Sequence, residues 1–244
     1  MTAREYLKKS KPRRKKKAAQ KPYGKLVGIE WNPLSVAWSE DAWQEYLARV
    51  VDVLALWEEA KHRELDTHPK HLSFLLGPLM GLFNQCRQED KFRTLSLEIG
   101  RAFIDCNESR VLVWCHHRKD AEVIRDHYAG FSKSLRVLCV SNVIIPDYDL
   151  YDLVSVDRVI YYDMGWNLAD FIRTVNVLPP ANDRRVSIVP LCMQGSIEAY
   201  VAYRIMRDRL YLVGNVSRGA ALTEEECKLG IYADLSALMD YLRN

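Results

Sequence analysis

The stretch "RVLVWCHHRKDAEVIRDHYAGF", residues 110–131, decides the fold. Its first six residues, 110–115, form a short apolar run with β-branched residues, which is typical of a buried strand. Residues 118–131 then have the spacing of an amphipathic helix. A strand that leads directly into a helix is the repeating unit of α/β proteins with a parallel sheet.

The same alternation continues through the second half of the chain. Apolar runs predict further strands at 135–141, 157–163 and 185–193. Helical patterns follow at 166–178, at 195–216 and at about 223–243. We therefore predict an α/β fold with a mostly parallel sheet and helices on both faces. Because buried parallel strands are apolar on both faces, Ile160 and Val189 are expected in the sheet interior.

Ligands of open parallel sheets gather where the strands end. The predicted strands end at His116, Ser141, Asp163 and Met193. Because the carboxyl ends of parallel strands lie along one edge, that edge is the expected functional surface.

The first half of the chain has helical patterns of a different kind. Residues 39–65 predict a long amphipathic packing helix with Ser39 as N-cap and acids in the first turn. Its expected apolar positions are Trp43, Leu47, Val50, Val51, Leu54 and Trp57. Residues 71–88 predict a helix that is kinked near Gly77–Pro78. A further helix is predicted at 89–107, and no internal repeat is found.

The N-terminus is strongly basic. Residues 1–29 hold eleven Lys or Arg and one acid, a net charge of +10, whereas the remaining residues hold 24 basic and 31 acidic side chains, or −7. This segment is expected to be disordered in isolation. Ten cations are the candidate nucleic-acid contacts: Lys8, Lys9, Lys11, Arg13, Arg14, Lys15, Lys16, Lys17, Lys21 and Lys25. Such a run can screen phosphates without reading base sequence. A nuclear-localisation signal and an inert solubilising tail stay open as alternatives.

Several classes of function are disfavoured by the composition. The six cysteines are far apart, which predicts free thiols in a reducing compartment and an intracellular protein. No window of eighteen apolar residues and no secretory h-region is present, so neither a membrane span nor secretion is expected.

Two groups of residues resemble parts of other kinds of site, a zinc site and a nuclease site. Cys115, His116 and His117 are adjacent potential zinc ligands, but no second ligand pair follows at a zinc-type spacing, so no metal site is predicted. The aspartates at 147, 149 and 152 resemble part of a nuclease site, but no Glu-x-Lys follows, which favours a solvated loop.

Three segments in order resemble the second RecA-like lobe of Swi/Snf-type helicase-like ATPases. The first, 89–130, matches the opening helix, strand and helix of that lobe; the second, 158–177, matches its "VI.yD..WNP" stretch; the third, 186–216, matches its "GTvEe" stretch. Trp166-Asn167 and Gly195-Ser196-Ile197-Glu198 are the most specific matches. The resemblance covers roughly residues 89–218. It implies a RecA-like lobe that faces a second lobe across a nucleotide.

The departures from the family concern the nucleotide and nucleic-acid contacts. The Gly24-Lys25 pair lacks the rest of a phosphate loop, and no first lobe is recognised in the sequence. The two arginines that the family directs at ATP would fall at Val177 and Pro180, where Pro179-Pro180 ends the predicted helix. The family's "G.G.NL" loop is replaced by residues 142–157, which contain no glycine, and about one strand–helix unit is missing.

The predicted organisation is a basic tail (1–29), a helical segment (30–88), a RecA-like lobe (89–218) and a C-terminal helix (219–244). The resemblance makes five residues candidates for a lobe-facing surface: Trp166, Asn167, Arg173, Arg184 and Arg185. For Trp166 and Asn167, an aromatic plug and a helix N-cap remain the simpler interpretation.

Three functions fit this organisation. The chain is a non-catalytic or half-catalytic lobe that binds nucleic acid, DNA in the first instance, or a motor partner; it is an ATPase lobe completed in trans by a first-lobe protein; or it is an inhibitor or adaptor that mimics such a lobe. No cofactor is expected, except ATP if a partner supplies the phosphate loop.

Overall fold

The computed structural model describes residues 29–62, 88–105, 110–133, 135–139, 156–163, 186–206 and 235–244. The strands in these ranges are β1 (Ile29–Trp31), β2 (Leu34–Val36), β3 (Arg110–Cys115), β4 (Leu135–Cys139), β5 (Val156–Tyr161) and β6 (Val186–Met193). The helices are α1 (Glu40–His62), α2 (Gln88–Asp105), α3 (Arg118–His127), α4 (197–206) and α5 (Leu235–Arg243).

The strands form one parallel sheet in the order β1–β6–β5–β3–β4. Strand β2 also pairs with β6, beyond the point where β1 does. Every pairing between the described strands is parallel. The predicted α/β fold with a mostly parallel sheet is therefore confirmed, and the four predicted strands are β3 to β6.

Both faces of the central strands are buried. Along β3, Val113 faces one side and its neighbour Leu112 faces the other, yet both are fully covered. The same holds for Ile160 and Val159 on β5. One face packs against Leu95, Ile99 and Ala102 of α2 and Ala121 and Ile124 of α3. Ile160 and Val189 are 0% and 4% exposed, so their predicted interior position is confirmed.

Strands β1 and β2 were not predicted, because residues 30–88 were assigned to a helical segment. Each strand has only three residues, too few to show a period, and Asn32-Pro33 separates them. The connection is held to β6 by the Asn32 backbone N–H, which donates to the Ile188 carbonyl at 2.9 Å, and by the Asn32 amide, which donates to Ser187 Oγ at 3.1 Å. An Asn-Pro break is tolerated here because β1 and β2 lie at the edge of the described sheet, where both pair with β6 on one side.

Helix α1 agrees with the predicted helix over Glu40–His62, but its buried face differs from the predicted one. Leu47 and Val51, expected to be buried, are 37% and 65% exposed. The buried positions are Ala42, Tyr46, Val50, Val53, Trp57 and Ala60. The prediction counted large apolar side chains, whereas the face that packs includes two alanines and a tyrosine with a polar tip.

Other predicted elements agree where the structure describes them. Helices α2 and α3 lie within the predicted helices, and α5 occupies the end of the predicted C-terminal helix. The kinked helix at 71–88 and the helix at 166–178 lie almost wholly or wholly outside the described residues. The three boundaries between the four predicted segments remain predictions. Among the described helices, none combines the length and the apolar character needed to cross a membrane.

Candidate functional site at the carboxyl ends of the strands

Three strand ends meet at one edge of the sheet, as predicted. Strand β3 leads into His116 and His117, β5 leads into Tyr162 and Asp163, and β6 ends at Met193. The fourth predicted strand end, Ser141, lies outside the described residues.

Asp163 binds the start of α3 from the neighbouring strand. Its carboxylate accepts the backbone N–H of His116 at 2.6 Å and that of His117 at 3.0 Å. His117 is the N-cap of α3, and its own side chain makes no capping hydrogen bond. Asp163 therefore accepts from the N-cap residue of α3 and from the residue before it, and it does so from the neighbouring strand.

The burial of Asp163 has an electrostatic consequence. Burial raises the pKa of its carboxyl group, while the charges of Lys91 and His117 and the two backbone N–H groups act in the opposite direction. The His117 ring lies 3.9 Å from the carboxylate. The carboxylate of Asp163 is thus hydrogen-bonded by donors at the end of the adjacent strand rather than by solvent. These bonds hold the end of β5 to the end of β3.

A buried ion pair lies beside Asp163. Lys91 Nζ, on α2, lies 2.7 Å from Glu198 Oε1, and the lysine is only 2% exposed. The ammonium also lies over the Tyr162 ring, 5.3 Å from its centroid. Glu198 Oε2 accepts the Met193 backbone N–H at 3.2 Å. The pair therefore joins α2, the end of β6 and the start of α4.

The structure gives each residue of the Gly195–Glu198 turn a role. Gly195 has φ +67°, a conformation that L side chains rarely adopt. Ser196 caps α4, because its Oγ accepts the Glu198 N–H at 3.1 Å and donates to the Met193 carbonyl at 2.7 Å. The Ile197 N–H donates to Tyr46 Oη of α1 at 2.9 Å. Hydrogen bonds of this turn therefore connect the end of β6 with α1 and with the start of α4.

Two cysteines at this edge, Cys115 and Cys192, are buried free thiols, in agreement with the prediction of reduced cysteines for these two. Burial, with the charge of Glu198 as a second cause, raises the pKa of Cys192 to about 12. A thiol held in its neutral form is a poor nucleophile. In the described ranges, no group of three or more His, Cys, Asp or Glu is arranged to hold a metal ion.

The burial of Lys91 and Glu98 was not predicted from the sequence. Both lie on the α2 face that carries Leu95, Ile99 and Ala102. Glu98 accepts from Arg101 at 2.6 Å and from Arg158 of β5 at 3.3 Å. The signal in the sequence is a charged residue within an apolar stripe at helical spacing. Because charges are rarely buried unless they are paired, such a residue indicates a buried ion pair.

None of the predicted site residues lies in the part of the chain that the structure describes. The ten basic residues of the tail and the five lobe-surface candidates, Trp166, Asn167, Arg173, Arg184 and Arg185, all fall outside the described residues. Asp163 is the last described residue before that surface. The described part of the site is accordingly a set of contacts that position strand ends and helix starts.

Comparison with known proteins gives structural but no sequence relatives. No protein-family model and no curated protein matches the chain. It is similar in structure to the C-terminal part of the Fun30 ATPase domain, with a TM-score of 0.52 and 9% identity over 88% of this chain and 96% of that one. It is also similar to a SWI2/SNF2 ATPase core from Sulfolobus solfataricus solved with double-stranded DNA, with a TM-score of 0.51 and 15% identity. That match covers 84% of this chain and 50% of the core, so the chain spans half of that protein's length.

Proposed function

Because the chain has the fold of the C-terminal lobe of a SWI2/SNF2-type ATPase, we propose that it acts as a lobe without ATPase activity of its own. In this proposal it binds DNA through its basic tail, or a motor partner through its lobe surface. The proposal rests on a contrast between the residues that hold the lobe together and the positions that would contact a nucleotide. The Lys91–Glu198 pair and the Asp163 contacts hold the lobe together, whereas the sequence has Val177 and Pro180 where arginines would contact a nucleotide.

The DNA part of the proposal is supported by charge. The tail residues 8–25 carry ten positive charges and no acid, while the rest of the chain is net negative. The similar core from Sulfolobus solfataricus was solved with duplex DNA, which makes duplex DNA the first ligand to test. Each neutralised phosphate adds about 0.9 to the log-log salt slope, so engaging half of the ten charges gives a slope of roughly −4 to −5.

Fluorescence anisotropy at several salt concentrations tests this part on the full-length chain. The variant replaces the ten basic residues of the tail by Gln, and thermal melting verifies that it is folded. We expect the variant to lose most of its DNA affinity and most of the salt dependence. Equal affinity of variant and wild type would show that the tail is not the nucleic-acid element.

A second candidate function is an ATPase lobe completed in trans. It is favoured by the match to only half of an ATPase core, since the unmatched half leaves room for a separate first lobe. We propose to test it by adding purified first-lobe proteins, which carry the phosphate loop, and measuring ATP hydrolysis. Turnover that requires both proteins supports this candidate. Stable binding of both proteins without turnover supports the non-catalytic lobe or an adaptor.

A further inference from the structure

An aromatic cavity of about 410 Å³ lies where β2 ends and α1 begins. The indole rings of Trp38 and Trp43 form part of its wall. Its other lining residues are Ala37, Ser39, Glu40, Gln194 and Gly195. We refer to this cavity as the aromatic pocket. The function proposed above does not use it.

The aromatic pocket is formed by residues with fixed positions. Trp38 Nε1 donates to the Gln194 carbonyl at 2.6 Å, and the Gln194 N–H donates to the Val36 carbonyl at 2.9 Å. The buried Tyr46 ring lies 5.1 Å from the Trp38 ring and 5.5 Å from the Trp43 ring, measured between centroids. A Cβ at Gly195 would lie 3.4 Å from Trp43. These hydrogen bonds and ring contacts hold the walls of the aromatic pocket in place.

The chemistry of the lining favours a cation. Indole faces attract ammonium and guanidinium groups. Glu40 lines the same cavity, Asp41 follows it in the first turn of α1, and none of the described lining residues is Lys or Arg. A phosphate in the pocket would lie beside one acidic residue and close in sequence to a second, so a nucleotide or a nucleic-acid strand is disfavoured.

We propose that the aromatic pocket binds lysine and arginine side chains of the basic segment, residues 8–25 of the same chain. That segment supplies ten cations. It enters the sheet at Ile29, which pairs with Val186, whereas the pocket adjoins Met193 at the other end of β6. The eight residues of β6 span roughly 23 Å from first to last. Lys21 is eight residues before Ile29, so an extended chain of about 26 Å lets Lys21 and the cations before it reach the pocket.

Occupation of the aromatic pocket would compete with DNA for the same cations. This consequence rests on the proposed DNA binding, but the contact between tail and pocket does not. A direct measurement of the contact without nucleic acid therefore separates the two proposals. It can succeed or fail whatever the outcome of the DNA titration.

Carbodiimide cross-linking of the full-length chain tests the contact, because the reagent joins a lysine amine to a carboxylate only when the two groups touch. The reaction is run at low ionic strength without nucleic acid, and the cross-linked peptides are identified by mass spectrometry. We expect tail lysines to be joined to Glu40 and Asp41 in preference to exposed acids elsewhere, such as Asp52, Glu59 and Asp126. Glu40→Gln with Asp41→Asn should remove these products, whereas Glu59→Gln, on the same helix, should leave them unchanged.

A second variant tests the aromatic wall while leaving both acids in place. Trp43→Leu should lower the yield of tail cross-links to Glu40 and Asp41 roughly two- to fivefold, the factor expected for one exposed cation–π contact. Trp57→Leu, on the same helix and away from the pocket, should not. Thermal melting identifies any variant that fails to fold.

Three results would overturn the proposal. The first is tail cross-links to all exposed acids in similar yield, and the second is undiminished cross-links to Glu40 and Asp41 in the Trp43→Leu variant. In a mixture of isotope-labelled and unlabelled chains, cross-links that join the two populations would show that the occupant is a second copy.

Discussion

Two segments carry the resemblance to SWI2/SNF2 lobes most specifically, and they differ in what they preserve. The residues of Gly195–Glu198 serve the packing of the lobe. Gly195 allows a turn with positive φ, and Glu198 forms the buried ion pair with Lys91. In the stretch that begins at Asp163, the first residue binds the start of α3, but the later positions expected to reach a nucleotide are Val177 and Pro180. The contacts that hold the lobe together are therefore seen in the structure, whereas the replacement of the residues that would act on ATP remains a prediction from the sequence.

The largest effect is expected from breaking the buried pair. Lys91→Ala leaves Glu198 without its ammonium partner in a buried position, which should lower the free energy of unfolding by roughly 3–5 kcal/mol. Lys61→Ala is the matched control, since Lys61 pairs with Glu58 on the surface at 3.2 Å and should contribute about 0–1 kcal/mol. Urea unfolding at neutral pH measures both. A smaller loss for Lys91→Ala than for Lys61→Ala would mean that the pair does not hold the lobe.

The sheet interior should respond nearly as strongly. Ile160→Ala removes a fully buried side chain from β5 and should cost roughly 2–5 kcal/mol. Ile104→Ala removes the same atoms from a position that is 80% exposed, so its effect should stay within about 0.5 kcal/mol. Thermal melting checks the pair, and an unchanged melting temperature for Ile160→Ala would contradict the assignment of β5.

A smaller and graded effect is expected at Asp163. Asp163→Ala leaves the N–H groups of His116 and His117 without their acceptor, at a cost of about 1–3 kcal/mol. Asp163→Asn keeps one carbonyl oxygen that can accept from one of them, so its loss should be smaller. Chemical unfolding of the two variants decides the point. If Asn and Ala destabilise equally, the carboxylate is not acting through these hydrogen bonds.

The sheet could be predicted from the sequence because its central strands are long, apolar runs between turns. The edge strands β1 and β2 could not, since three residues on either side of Asn32-Pro33 show no period. The buried face of α1 was misplaced because Tyr46 and Ala42 pack where larger apolar residues do not. The strand ends of the candidate site followed from topology, but the Lys91–Glu198 pair did not, because it joins residues 107 positions apart whose contact depends on the tertiary fold.

ATP hydrolysis by the purified full-length chain, measured with and without duplex DNA, tests whether this lobe lacks ATPase activity of its own. We expect no turnover above the rate of a blank under either condition, because no phosphate loop is recognised in the sequence and neither of the two expected positions is an arginine. DNA-stimulated turnover that is abolished by Arg173→Ala would contradict it, since that result would place a functional arginine finger in this lobe.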